Sequence, residues 1–529
     1  MSSIPFDEQL ESSVAEPEQT VAIAAARAKQ TYGQILKSSA IVGGSTVVNV
    51  GIGIVRTKVM AMLLGPGGFG LFGLYGSIQT LTQSIAGMGI NSSGVRQIAE
   101  AVGTGQRERI ALTTAVLTKT SIVLGLLGGV LLLVFSRQVS SVTFGTPQRA
   151  AAVSLLSLAV FFSLLSGSQG ALIQGMRRIG DLAKMNVLSA VWGVCTSIPL
   201  VYFFREKGLV PSLVSVAAMS ILTSWWYSRK IDVLPVKVRF SQVREEASAL
   251  LKLGSAFMVS GLITMGVAYF VRVMILHKVG FAATGLYQSA WAVGGLYVGF
   301  ILQAMGADFY PRLTASISNH VECNRLVNEQ ALVGLLLAGP GVIGTLTFAP
   351  LVTTVLYSTH FAAAVPILRW ICMGAMLQVV SWPMGFIIIA KGKQNLFIVS
   401  EVAWAAVNLC LTWACVTYFG VSGAGIAFFG SYAFHCFMSY AIVSRLSAFR
   451  WSKANIRNGG LYLILIATVL CGLYLLPLLP AAALGLAAAV LASLYSLRAL
   501  SKLIPFDELP SSVQRFFITF RRSADPSLS

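Results

Sequence analysis

Three arginines stand inside apolar runs. Arg56, Arg272 and Arg369 each interrupt a stretch long enough to cross a bilayer, and an ionisable side chain at mid-membrane depth costs about 2.5–3.5 kcal/mol on insertion scales. That cost marks each as a candidate for function. At 1.5 Å of rise per residue they fall about 10–12 Å below the outer ends of their stretches, at one level and beyond easy snorkelling reach. A guanidinium is permanently charged and bonds phosphate through two parallel N–H groups, so three of them facing one cleft would form a cationic ring for an anionic ligand. Lys119, about 13 Å from the inner end of its stretch, is the fourth candidate, as a first contact for that ligand.

Polar stripes accompany these cations. Ser45, Asn49 and Arg56 fall within about 40° on a helical wheel, and Tyr75, Gln79 and Gln83 make a second stripe on the next stretch. Thr264 and Arg272 are about 80° apart, a looser match. Such stripes line water better than lipid. Acidic groups are scarce in the apolar runs. Glu401, with Asn408 and Thr412 on its face, is a candidate proton or sodium site, the alternative being a structural carboxylate near the inner face, and His435 is a candidate proton relay. The hairpin at Lys391 to Asn395 leaves Glu401 roughly 22 Å from Arg369 along antiparallel helices, so the two are not expected to pair.

Chemistry of the soluble kind is not indicated. Gly65, Gly67 and Gly70 match Gly-x-Gly-x-x-Gly, but no strand precedes them, and no phosphate-binding Gly-x-x-x-x-Gly-Lys-Ser/Thr occurs. The four histidines are scattered and the seven cysteines form no Cys-x-x-Cys pair, so neither a metal site nor a disulfide framework nor a cofactor is expected. The cysteines read as small buried side chains.

The elements that position these residues follow from composition. Only 11% of the 529 residues are charged and 56% are hydrophobic, too little polar surface for a water-soluble chain. The chain reads as an all-α polytopic membrane protein. Fourteen spans are expected, at 35–64, 69–91, 110–135, 149–175, 182–204, 208–228, 250–279, 283–307, 326–348, 362–390, 395–419, 423–443, 458–476 and 480–500. No ten-residue segments alternate with period two, which excludes a membrane β-barrel. The net charge of +19 is spread over short connectors rather than one stripe, a pattern of membrane topology and not of nucleic-acid binding. Placing both tails and the even-numbered connectors on one side collects 28 of the 38 Lys and Arg there, against five in the other connectors and five inside spans. Both termini are therefore expected in the cytoplasm.

The second half repeats the first. At an offset of 215, Leu36, Lys37 and Ala40 face Leu251, Lys252 and Ser255, and Gly65, Gly70 and Leu71 face Gly280, Gly285 and Leu286; Arg56 faces Arg272 with a slip of one. Six spans separate equivalent points, so the copies run in the same direction through the membrane. The expected organisation is a cytoplasmic tail at 1–34, an N-lobe at 35–228, a basic inter-lobe loop at 229–249 suited to a headgroup surface, a C-lobe at 250–443, a helix pair within 444–500, and a cytoplasmic tail at 501–529.

The stretch Leu64, Gly65, Pro66, Gly67, Gly68, Phe69, Gly70, Leu71, Phe72, followed by Gly87, Met88, Gly89, Ile90, Asn91, Ser92, Ser93, Gly94, Val95 and Arg96, resembles the start of bacterial O-antigen and exopolysaccharide flippases. These belong to the multidrug/oligosaccharidyl-lipid/polysaccharide exporter superfamily. The resemblance implies two rocking lobes in the bacterial inner membrane. It also implies a substrate, undecaprenyl-pyrophosphate-linked oligosaccharide moved from the inner to the outer leaflet, with Arg56 and Arg272 as the pair on the pyrophosphate. Polysaccharide polymerase and assembly enzymes are the implied protein partners. A cation-coupled multidrug antiporter of the same superfamily and a lipid II flippase are the nearest alternatives. A membrane glycosyltransferase, ligase or polymerase fits less well, because the outer connectors are short and nearly uncharged.

Overall fold

A computed structural model describes residues 17–236 and 240–503; the side chains of 17–42 and of short stretches between 240 and 311 lie outside that description, as do most of both expected tails. Every regular element among the described residues is helical, as a bilayer demands of a chain whose backbone polar groups find no water. The long helices are α1 (Pro17–Gly87), α3 (Arg107–Val134), α5 (Ala150–Gly175), α6 (Ile179–Phe204), α7 (Leu209–Ser228), α8 (Phe240–Val279), α9 (Phe281–Ala315), α10 (His320–Leu356), α11 (Val365–Ala390), α12 (Gln394–Phe419), α13 (Ser422–Ser447), α14 (Lys453–Leu475) and α15 (Leu478–Leu503). Two shorter ones, α2 (Ile90–Gly103) and α4 (Ser136–Phe144), flank the membrane part.

Eleven helical stretches among the described residues are long and apolar enough to cross a membrane. Two of these hold a break, at Gly65 and at 205–208, and so contain two spans each. With α9 they account for the fourteen expected segments, and the chain is a multi-pass membrane protein.

Three differences from the sequence reading have local causes. The second span ends at Gly87, because Met88 and Gly89 both take positive φ (44° and 67°) before α2 begins. The outer connector after α3 holds α4, nine residues long. The latter part of the inter-lobe loop, from Phe240, already belongs to α8, where the Thr113 hydroxyl donates to Glu246 Oε1 at 2.7 Å. Of the seven cysteines, all free, Cys195, Cys410 and Cys471 are exposed on apolar spans rather than buried.

Helices of each half pack on one another, and buried clusters also join the halves, through Tyr269, Val273 and Leu276 and through Tyr357 and Phe361. In the first half, α5 packs between α3 and α7, and α6 lies against α7 and α1; in the second, α11 packs on α9, α10 and α13, α12 on α13, and α14 and α15 on α10. Their outward faces carry exposed Val123, Leu127, Val130, Leu463 and Ile464, which suit acyl chains.

The repeat is visible in the backbone. Gly65 (φ 63°, ψ −176°) and its equivalent Gly280 (φ 107°, ψ −179°) take the same glycine-favouring conformation between the first two helices of each half. Beyond these turns the second arm of α1 meets α9, where Gly70 touches its own equivalent Gly285. A Cβ at Gly70 would run into the Phe281 carbonyl, and one at Gly285 into the Pro66 carbonyl. Pro66 and Phe281 are themselves 215 apart, so the contact is reciprocal, as a two-fold relation between the halves requires.

The cleft is closed at both ends. At the end that the sequence reading places outside, the Thr143 and Tyr269 hydroxyls share a buried 2.6 Å hydrogen bond. Phe144 stacks on Phe281 (centroids 6.4 Å), with Arg149 5.6 and 5.2 Å from the two rings. At the opposite end Ser93 donates to the Leu250 carbonyl at 2.9 Å, and Gly89 lies against Gly254 with no room for a side chain. Tyr269→Phe leaves Thr143 buried without its partner, a loss of about 1 kcal/mol or more. Faster labelling of a cysteine placed on the outer cleft wall is the expected result; unchanged labelling would show that the outer seal does not depend on this bond.

Candidate functional site: paired arginines and a cavity in the C-lobe

The two repeat-related arginines keep one geometry. Arg56, in the first arm of α1, lies 5.6 Å from the Phe72 ring, and Arg272, in α8, lies 6.0 Å from the Tyr287 ring. Phe72 and Tyr287 are again 215 apart, so each half places an arginine of its first helix over a ring of its second.

Their remaining partners differ. Arg56 Nε donates to Ser197 Oγ on α6 at 3.1 Å, while its Nη2 is buried with no acceptor. Arg272 is 7% exposed, with Nε donating to Gln288 Oε1 at 2.7 Å and Nη1 to the Ala268 carbonyl at 2.6 Å. The expected cationic ring is not formed by these contacts, since Arg272 commits Nε and Nη1 inside its own lobe. Arg369 faces elsewhere again. Its Nε donates at 3.2 Å to the Leu346 carbonyl of α10, which Pro350, four residues on, cannot satisfy because it has no N–H. That bond accounts for a half-buried arginine without any ligand. Lys119 is exposed on α3.

The polar stripes divide. Gln83 lines a cavity of about 370 Å³ between the lobes, with Ser84 and Asn91 on one side and Met258, Gly261 and Met265 on the other. Tyr75, 2% exposed, instead packs on Phe144 in the core of the first half, and Gln79 Nε2 reaches Ser163 Oγ at 3.4 Å within the same lobe. On α1, Asn49 Oδ1 is buried with no donor, and Ser45 lies one turn further in, half-buried.

Thr264, Glu401 and His435 come together. All three line a cavity of about 360 Å³ inside the C-lobe, between α8, α11, α12 and α13. His435 Nδ1 lies 3.1 Å from Ser381 Oγ, its ring 5.9 Å from that of Tyr432. Glu401 makes no ion pair among the described residues. The cavity continues outward into one of about 170 Å³ lined by Tyr287, Trp291, Trp404, Phe428 and Tyr432 together with Gln378, Asn408 and Thr412. Sequence reading missed these rings. The signal was present in the i, i+4 spacing of Tyr287 and Trp291, of Trp404 and Asn408, and of Phe428 and Tyr432, but on apolar helices such a stripe reads as core. Among the described residues no three metal-ligating side chains cluster.

Known proteins share this architecture. A family profile described as polysaccharide biosynthesis protein matches residues 59–366, more than half the chain. The lipid III flippase of Escherichia coli strain K12 is 24% identical over 416 residues, covering 75% of this chain and 95% of that protein. A probable low-salt glycan biosynthesis flippase of Haloferax volcanii is 21% identical over 435 residues, covering 81% and 87%. In fold, the chain is similar to the lipid II flippase MurJ in an inward closed conformation (TM-score 0.62, 12% identity, 88% and 99% of the two chains). It is also similar to an inward-facing multidrug resistance MATE family transporter of the MOP superfamily (TM-score 0.60, 15% identity, 78% and 98%). With the profile spanning the first half and reaching α11, the chain belongs to the polysaccharide biosynthesis protein family.

Proposed function

We propose that this protein is a transporter, not an enzyme, and that it flips a lipid-linked oligosaccharide. The substrate is undecaprenyl-pyrophosphate carrying an O-antigen or exopolysaccharide repeat unit, moved from the inner to the outer leaflet of the bacterial cytoplasmic membrane. Both termini face the cytoplasm. The flippases among the relatives support the substrate class. The observation that carries the mechanism is the duplicated arginine-over-ring pair on either side of the Gly70–Gly285 seam. It places fixed positive charge at membrane depth beside the surface along which the lobes part.

In this reading the unpartnered Nη2 of Arg56 takes the pyrophosphate first. Arg272 exchanges Gln288 for phosphate as the lobes separate, and Lys119 meets the headgroup on the inner side. The lipid tail stays in the bilayer while the headgroup crosses. An anion moving outward down an inside-negative potential gains up to about 2.3 kcal/mol per charge per 100 mV, so the membrane potential drives the step. Glu401 and His435 are the groups through which an ion gradient would add to it.

A strain lacking the protein is expected to accumulate the lipid-linked oligosaccharide with its sugar on the cytoplasmic side. No accumulation in a strain without a second flippase would reject the reading. Glu401→Gln is expected to remove any acceleration of flipping by an imposed proton or sodium gradient while leaving gradient-free flipping intact; loss of both would make Glu401 part of the substrate path instead.

One observation favours a second reading. Glu401 opens on a cavity walled by rings, a chemistry that also suits an organic cation, as in a cation-coupled multidrug antiporter.

A further inference from the structure

The C-lobe cavity is unlike the cleft. Its two parts share Thr264, Gln378, Trp404 and Tyr432 and so run as one space from Tyr287 near the outer end to Ser439 near the inner end. Rings form a continuous wall along it. Tyr287 and Trp291 have centroids 6.0 Å apart, Trp291 and Phe428 5.2 Å, Phe428 and Tyr432 4.9 Å, and Tyr432 and Trp404 5.6 Å. Among the described residues no lysine or arginine lines either part, Arg272 lying off the lining 6.0 Å from the Tyr287 ring, and Glu401, in the inner part, is the one carboxylate on these walls.

Among these rings stand neutral hydrogen-bonding groups. Gln378 and Thr264 border both parts, and Asn408 Nδ2 donates to Ser431 Oγ at 2.8 Å, which leaves its Oδ1 to accept. Trp404 is 7% exposed, and its indole N–H is buried with no acceptor, a cost of about 1–3 kcal/mol unless a ligand or water accepts it. A phosphate finds no cation on the described walls. An acyl chain needs none of the amides. A sugar matches both features, because a pyranose has an apolar C–H face to lie on a ring and a rim of hydroxyls for amides and an indole N–H.

Resting on the flippase reading, we propose that this cavity is the glycan subsite. Trp291, Trp404 and Tyr432 stack on pyranose faces, and Gln378, Asn408 and the Trp404 N–H bond hydroxyls, while the pyrophosphate remains at the inter-lobe seam. The C-lobe then selects the sugar and the seam selects the lipid anion.

Binding to the full-length protein in nanodiscs tests this with three probes. They are lipid-linked oligosaccharide extracted from membranes of a strain lacking the protein, undecaprenyl pyrophosphate without sugar, and tetraphenylphosphonium. Gln378→Ala and Trp404→Phe, the latter keeping a ring but losing the N–H, are expected to weaken binding of the glycosylated lipid about ten-fold with binding of the sugar-free lipid unchanged. Two substitutions guard against a folding artefact, since Gln378 is only half-buried. Equal weakening of both lipids, or of neither, overturns the subsite. Tetraphenylphosphonium binding that is lost on Glu401→Gln and competes with the glycosylated lipid also overturns it, in favour of an organic-cation cavity. Wild-type protein that binds neither lipid overturns the flippase reading itself, and the subsite with it.

Discussion

Arg56→Ala is expected to slow flipping in reconstituted vesicles about 10- to 100-fold, the equivalent of losing a charge-assisted hydrogen bond of about 1.5–3 kcal/mol to the moving anion. The argument rests on one atom. Arg56 gives Nε to Ser197 and lies over Phe72, yet its Nη2 is buried without an acceptor, so the group is held in place and still has a donor to offer. Arg56→Lys keeps the charge but loses the planar fork, and should recover only part of the rate. Arg369 is the internal control. Its bond to the carbonyl that Pro350 leaves open predicts that Arg369→Ala lowers the melting temperature while each folded molecule flips at the normal rate. Equal loss of rate for Arg56→Ala and Arg369→Ala would mean that burial of charge, and not a ligand, explains both.

The second large effect is expected at the seam. Gly70→Ala and Gly285→Ala each push a methyl group into a backbone carbonyl of the other half, and a carbonyl inside a helix cannot swing aside as a side-chain tip can. Overpacking of this kind costs about 1–3 kcal/mol, occasionally more. Because the two contacts are reciprocal, the losses should match, both in melting temperature and in the opening of the outer cleft to a cysteine reagent. Gly76→Ala, on the same arm but with open space beside it, should be neutral. Unequal effects at Gly70 and Gly285 would show that the two halves do not meet on a symmetry axis.

Much of the fold was legible because hydrophobic span length and the offset of 215 are properties of the chain alone. The offset aligned Gly65 with Gly280 and Gly70 with Gly285 before their shared conformation and mutual contact were seen. The direction of each arginine was not legible. Only packing shows that Arg369 turns toward α10 and that Arg272 is taken up by Gln288. Tyr75 and Gln79 illustrate the same limit. They share a wheel face with Gln83, yet Tyr75 packs on Phe144 and Gln79 reaches Ser163, so of the three only Gln83 lines the inter-lobe cavity. The C-lobe cavity was hidden for a different reason, since Trp404 and Tyr432 on apolar helices carry no sign of whether their rings meet other side chains or a void.

The central claim is that this chain carries a lipid-bound sugar anion between leaflets. Purified protein in vesicles loaded with the glycosylated lipid on the inner leaflet, with an external glycosidase reporting arrival, measures it directly. The account predicts cleavage well above that of protein-free vesicles, rising under an inside-negative potential and falling toward the protein-free rate for Arg56→Ala. Cleavage by wild-type protein at the protein-free rate, in vesicles where the same protein exchanges an organic cation for protons, would contradict it.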